Sequence, residues 1–238
     1  MELINKKDSQ IVFKAEIEDS LVNAIRRYIN QIPVLAIDEV EIVQNGSALY
    51  DEVVAHRLGL VPLKMEKAIS EKNQGKLKLV SSKEGMVQSG ELKGNVDIVY
   101  ENIPITYLNK GQELELVATV GSGKGSEHIK FSPGLMFYRN VSEISMDKEF
   151  LDEIKRICPH ASIKEKGDKI VVMDDQAKEL LDVCEGVAEH VDKKADVQVK
   201  DELIITVESF GQMDVKDIFE KSVSMLKKDL AEVSKELK

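Results

Sequence analysis

Tryptophan is absent, and only 5% of the 238 residues are aromatic. That argues against a base-stacking platform, which needs exposed rings. Positive charge is in deficit: 33 Lys and Arg stand against 43 Asp and Glu, a formal net charge of −10. Sequence-independent grip on nucleic acid needs a positive field, so nucleic-acid binding by this chain alone is disfavoured. The basic pairs Lys6-Lys7, Arg26-Arg27, Lys193-Lys194 and Lys227-Lys228 are each flanked by acids or apolar residues. Two cysteines, Cys158 and Cys184, are too few for a disulfide framework. No run approaches the roughly 20 apolar residues of a membrane span, and MELINKKDSQ at the start lacks an apolar signal core. These absences point to a soluble, cytoplasmic protein.

What is present can fold. Hydrophobic residues make up 42% of the chain and charged residues 32%, which implies a sizeable core under a well-solvated surface. The length suits one domain with insertions, or a few small ones. QIVFKAEIE (10–18) alternates, placing Ile11, Phe13, Ala15 and Ile17 on one face of a half-buried strand. Asp19 or Ser20 can cap the next helix, where Leu21, Ala24, Ile25, Tyr28 and Ile29 form a stripe. Pro33 ends it, a strand follows from Val34 to Val43, and Asn45-Gly46 signals a turn.

From Ser47 to about Asn140 the chain reads as mostly β, with strands at Lys76–Val80, Val96–Tyr100, Glu113–Val120 and Leu135–Arg139. In the third, Leu114, Leu116, Ala118 and Val120 alternate with polar neighbours. GSGKGS (121–126) reads as a flexible loop between strands. From Met146 to Ala195 the order is helix (FLDEIKRIC), hairpin turning near Lys166-Gly167-Asp168, and helix (AKELLDVCEGVAEHV). A β segment, Val197–Glu208, precedes a last helix capped by Asp214.

That last helix, Val215 to about Leu237, is about 34 Å long. Phe219, Val223, Leu226, Leu230, Val233 and Leu237 are spaced 4, 3, 4, 3, 4 along it, a heptad seam. Burying six such side chains contributes on the order of 10 kcal/mol gross. A helix lying on its own sheet is the commoner outcome of such spacing. A seam that reaches the end of the sequence favours a partner instead.

Elsewhere, chemistry finds few footholds. Arg26 and Arg27 lie about 100° apart on a helix, so one can pair internally while the other meets a partner. His56-Arg57 follows the acids Asp51 and Glu52, but no Ser or Cys nucleophile pattern accompanies it. The four histidines, His56, His128, His160 and His190, are scattered and show no ligand spacing. GSGKGS lacks the order of a Walker loop, because Lys124 precedes Gly125 and no helix follows.

The cysteines invite a register test. A helix ending in Cys158-Pro159, a hairpin and a second Cys-bearing helix resemble a two-cluster ferredoxin module. Aligned on its C-x₂-C-x₂-C-x₃-C-P run, one cluster site becomes Lys148, Leu151, Ile154 and Val191. The other becomes Leu181, Cys184, Val187 and Cys158. Neither can hold a four-iron cluster. Packing is expected to fill that space, with Cys158 and Cys184 near each other on one side of a small core.

NAIRR (23–27), PVLAIDEVEI (33–42), ALYDEVVAHRLGLVPL (48–63) and GSGKGSEHIKFSP (121–133) together resemble the D-type subunit family of archaeal RNA polymerase, related to bacterial α. The resemblance implies an α+β fold. Its dimerisation domain is discontinuous (1–46 and 196–238), interrupted by a β-rich insert domain (47–145). A ferredoxin-like domain (146–195) follows, here without most cluster cysteines. It also implies a non-catalytic assembly subunit of DNA-directed RNA polymerase. That subunit pairs with subunit L and then meets the second-largest subunit and the small subunits N and P. No active site is expected, since the nucleotidyltransferase activity belongs to the complex.

By motif, the resemblance carries partner contact to Asn23, Arg26 and Arg27, to the HRLG segment (His56, Arg57, Leu58 and Gly59), and to Lys124, Glu127 and His128. The heptad seam adds Phe219, Val223, Leu226, Leu230 and Val233. No iron–sulfur cluster is expected with two cysteines. No zinc is expected either, because residues 47–145 contain no cysteine. The alternative from another class is an iron–sulfur redox or electron-transfer protein built on 146–195.

Overall fold

The computed structural model describes residues 1–65, 75–176 and 178–237. In chain order its elements are β1 (Glu2–Lys6), β2 (Gln10–Glu16), α1 (Asp19–Ile29), β3 (Pro33–Asn45), α2 (Asp51–Gly59) and β4 (Gly75–Ser81). There follow β5 (Gly85–Gln88), β6 (Lys93–Gly94), β7 (Pro104–Leu108), β8 (Leu114–Lys124), β9 (Gly134–Asp147) and α3 (Leu151–Ile157). The chain ends with β10 (Ser162–Lys166), β11 (Lys169–Asp174), α4 (Leu181–Glu189), β12 (Asp196–Ser209) and α5 (Val215–Glu236). The fold is α+β and rich in strands. It divides into two compact units, Met1–Asn23 with Met136–Val207, and Ala24–Leu135 with Glu208–Lys238.

The first unit is built on a sheet in the order β1-β2-β12-β9-β11-β10. The expected hairpin is present: β10 and β11 pair antiparallel from Ser162↔Met173 to Lys166↔Lys169. Gly167 takes φ +60 at its turn, a conformation that costs other residues a Cβ clash. β11 then pairs β9, so the hairpin extends the long sheet. The side chains expected to replace a cluster do pack together. Ile154, Cys184, Ile170, Val172 and Phe150 form a buried core, with Leu151, Cys158, Leu181 and Val187 against it. Two positions fall outside: Val191 is exposed, and Lys148 pairs with Glu165 at 2.6 Å.

Several expectations for this unit need correction. β2 is not apolar on one face alone, since Val12 is buried against Val141 and Ile204. α1 begins at Asp19, and the Glu18 carbonyl accepts the N–H groups of Leu21 and Val22, leaving no Asp19 or Ser20 cap ahead of it. Its buried residues are Val22, Ile25 and Ile29, whereas Leu21 is exposed. The second helix of the 146–195 segment starts at Leu181, after the stretch expected from Ala177; Ala177 itself lies outside the described residues. β9 reaches well past the Leu135–Arg139 strand anticipated for it.

In the second unit, β3-β8-β4-β6 form one sheet and β5-β7 another. Leu114, Leu116, Ala118 and Val120 on β8 are fully buried, as their alternation requires. They share a core with Leu35, Ile37, Leu77, Leu79, Val54 and Leu58. Residues 51–59 are helical, not β. Val96–Tyr100 forms no strand, only a single bridge at Leu63↔Ile98.

GSGKGS is likewise not a free loop. β8 runs through Gly121–Lys124, pairing those residues with Pro33–Ala36 of β3. The glycines serve close approach: a Cβ on Gly123 would sit 2.6 Å from the Phe131 ring, and one on Gly121 3.1 Å from Asp38 Cβ. On α5, Asp214 occupies the cap position without a side-chain hydrogen bond; its carbonyl accepts from Ile218 instead.

Candidate partner-binding surface

α5 presents two neighbouring stripes. The residues buried by the chain itself are Val215, Ile218, Ser222 and Leu226. The heptad seam lies about 50° around the helix from them. Phe219 and Val223 on that seam are half-buried and Leu226 is buried. Beyond it, Leu230 is 59% exposed, Val233 54% and Leu237 83%. The seam is thus covered over its first half and bare over its second.

The last turn of α1 places Arg26 and Arg27 at the helix end where cations are favoured. Both are exposed; Asn23, one turn earlier, is half-buried. Together with Ala24, Tyr28, Asn30, Gln31, Ser126 and Asp229 the two arginines line an open cleft of about 610 Å³. Tyr28 Oη donates to Asp229 Oδ2 at 2.9 Å, tying the end of α1 to α5 one residue before bare Leu230. That bond to a carboxylate raises the Tyr28 phenol above its ordinary value. The Asn30 carbonyl accepts from Ser126 N–H at 3.0 Å, and Asn30 Oδ1 from Ser132 Oγ at 2.9 Å. A Cβ on Gly125 would meet Asn30 Oδ1 at 2.6 Å, so the turn after β8 closes tightly here.

Within that turn Glu127 and His128 work locally. Glu127 Oε2 accepts from Lys124 N–H at 3.2 Å. His128 Nδ1 accepts from Lys130 N–H at 3.2 Å, capping a 3-10 turn at Ile129–Phe131. His56 and Arg57 do not join the cleft. They occupy the last turn of α2, where Val54 and Leu58 anchor the helix in the core. Arg57 Nη1 donates to the Ile105 carbonyl at 3.0 Å, fastening α2 to β7, while His56 is exposed. The sequence therefore pointed to the arginines, the loop and the seam, and missed Tyr28, Asn30 and Asp229 as the joints between them. Tyr28 was legible only as a member of an apolar stripe.

Cysteine chemistry has little to work with. Burial pushes the Cys184 thiol up to about 12, with the nearby Cys158, Asp174 and Glu185 adding to the shift. The reactive and metal-binding form is the thiolate. Among the described residues no group of three or more His, Cys, Asp or Glu could hold a metal ion. The residues at the would-be cluster positions do not fit such a group, since Leu151, Ile154, Leu181 and Val187 pack around both sulfurs. In native protein, a maleimide is expected to label half-buried Cys158 and spare Cys184 until denaturant is added. Equal labelling rates by intact-mass spectrometry would contradict this packing.

A family model described as the RNA polymerase Rpb3/RpoA insert domain matches residues 40–136. Over most of its length the chain is similar to DNA-directed RNA polymerase subunit Rpo3 of Thermococcus kodakarensis, 31% identical across 94% of this chain and 92% of that one. The chain belongs to the Rpo3 family. The Methanothermobacter thermautotrophicus Rpo3 is 32% identical over 94% of both chains, and the Archaeoglobus fulgidus Rpo3 29% identical over 99% of this chain and 96% of its own. The match to the insert domain takes in His56, Arg57, Lys124 and Glu127. Asn23, Arg26, Arg27 and α5 lie outside it. Among the described residues no helix is long and apolar enough to cross a membrane.

Proposed function

We propose that this chain is the non-catalytic assembly subunit of a DNA-directed RNA polymerase. It pairs with a smaller L-type subunit through the bare half of α5 and presents a joined surface to the second-largest subunit and the small N- and P-type subunits. The two chain ends, 1–46 and 196–238, form the pairing domain, 47–145 the insert, and 146–195 a cluster-free ferredoxin-like addition. Asn23, Arg26, Arg27, Lys124 and Glu127 border the assembly side. One observation carries this reading: Leu230, Val233 and Leu237 continue a heptad seam past the point where the chain covers it. A two-sided helix of this kind needs a second body to hide its remaining face.

The test is the double substitution Leu230→Asp with Val233→Asp. Both side chains are exposed, so the melting temperature of the chain is expected to hold. Charges placed in a dimer seam are expected to weaken pairing with a co-expressed L-type subunit at least about tenfold. Undiminished co-purification would remove α5 from the interface and this reading with it.

A further inference from the structure

The first would-be cluster site draws on both ends of the 146–195 segment: Lys148, Leu151 and Ile154 from its start, Val191 from its end. A cluster there would bond the two ends together. None of the four is a cysteine here. Lys148 turns to the hairpin, with its ammonium 2.6 Å from Glu165 Oε2 and its N–H donating to the Asp168 carbonyl at 2.9 Å. Ile154 is buried in the small core, Leu151 packs against it, and Val191 is exposed. The two ends are nevertheless joined.

Lys193, two residues past Val191, makes the join. Its ammonium lies 2.7 Å from Asp147 Oδ2 and 2.6 Å from Glu149 Oε1, the two neighbours of Lys148. The same ammonium sits 5.8 Å from the centre of the buried Phe150 ring, within cation–π range. The backbone delivers it there. α4 ends in a Schellman turn, in which the Asp192 N–H donates to the Glu189 carbonyl at 3.1 Å and the Lys193 N–H to the Ala188 carbonyl at 3.0 Å. Asp192 takes φ +57 in that turn, the one positive φ outside glycine among the described residues. A left-handed conformation costs an aspartate some stability, and the bonds of the next residue offset that cost.

We infer that Lys193 is an ionic clasp that stands in for the missing cluster, fastening the end of α4 to the turn that leads into α3 without iron or a disulfide. An isolated exposed ion pair contributes little. Here one ammonium serves two carboxylates and a ring, and it bridges the two ends that a cluster would have bridged. The side chains of Lys193, Asp147 and Glu149 are 44%, 45% and 58% exposed, so salt reaches and screens the clasp. Closure of the segment is therefore set by ionic strength, and not by the supply of metal or by the redox state of the cell. The inference does not depend on the proposed assembly role.

The experiment measures amide hydrogen exchange in the full chain at low ionic strength. Lys193→Met keeps the apolar stem over Phe150 and removes the charge. It is expected to speed exchange in α4 about three- to fivefold and to leave β8, in the other unit, unchanged. Asp147→Asn combined with Glu149→Gln is expected to match it, with no further gain when Lys193→Met is added. Lys193→Arg, which can bond both carboxylates, is expected to restore protection. In the unmutated chain, salt at about 1 M is expected to loosen α4 in the same way, which reads the clasp even if a variant fails to fold. A chelator and a thiol reductant are expected to change nothing. Unchanged exchange in both neutralised variants overturns the inference, as does α4 protection in the unmutated chain that is indifferent to salt. Protection that a chelator or a reductant removes also overturns it, since iron or a disulfide would then be the fastener.

Discussion

Replacing Asp174 by alanine is expected to destabilise the first unit by about 3–5 kcal/mol, the cost of breaking a buried charge pair. The Asp174 side chain is only 1% exposed and meets Arg139 Nη1 at 2.8 Å. Its other oxygen accepts the Leu180 N–H at 3.1 Å, just before α4 begins. Arg139 in turn donates Nη2 to the Gln176 carbonyl at 2.7 Å. One carboxylate thus connects β9, β11 and the entry to α4. Alanine leaves both a covered guanidinium and a buried backbone donor without their acceptor. Asp174→Asn, which keeps an acceptor for Leu180 while losing the charge, is expected to fall between. Amide hydrogen exchange over Leu181–Glu189 in the intact chain reads the result locally. Protection as strong as wild type in the alanine variant would show that the pair contributes nothing net.

The second large effect sits under α2. Leu58→Ala is expected to cost about 2–5 kcal/mol, because a fully enclosed leucine leaves a cavity. Leu58 is 0% exposed and shares the insert core with Leu35, Ile37, Leu63 and Leu116. Val54 is the one other buried residue of the helix, so little else holds it. Leu60→Ala, two residues on, is expected to stay within about 0.5 kcal/mol, since Leu60 is 46% exposed. Urea midpoints for the two variants should therefore separate widely. Loosening α2 also frees Arg57 from the Ile105 carbonyl. Coincident midpoints would show that the core collapses around the missing side chain.

The elements with strong periodicity were legible in the sequence. β8 could be read from Leu114 to Val120, the hairpin from Gly167, and α5 from its heptads. What escaped has identifiable physical causes. α2 buries only Val54 and Leu58, too few to write a stripe across nine residues. β1 is short and mostly polar, and it exists because β2 offers it an edge. Gly121 and Gly123 suggested a loop by composition. Their true reason, an aromatic ring and a bulge lying against them, depends on residues distant in sequence. The heptad seam of α5 was visible, but not that a second stripe beside it does the packing.

The candidate surface followed the same pattern. Single motifs marked Arg26, Arg27, Lys124 and Glu127, while the approach of Ser126, from the same loop, to the arginine cleft needed the fold. No spacing rule links Tyr28 to Asp229 across 201 residues, or Lys130 to Asp38 across 92. The family resemblance supplied the role; the residues alone supplied a charged surface in an apolar frame and a heptad seam.

The bare end of α5 has a consequence for supply. On the proposed pairing, a chain made faster than its partner carries Leu230, Val233 and Leu237 uncovered at the end of α5. Its survival in a cell is then expected to follow the supply of that partner, and equal steady-state amounts with and without a co-expressed L-type subunit would contradict this.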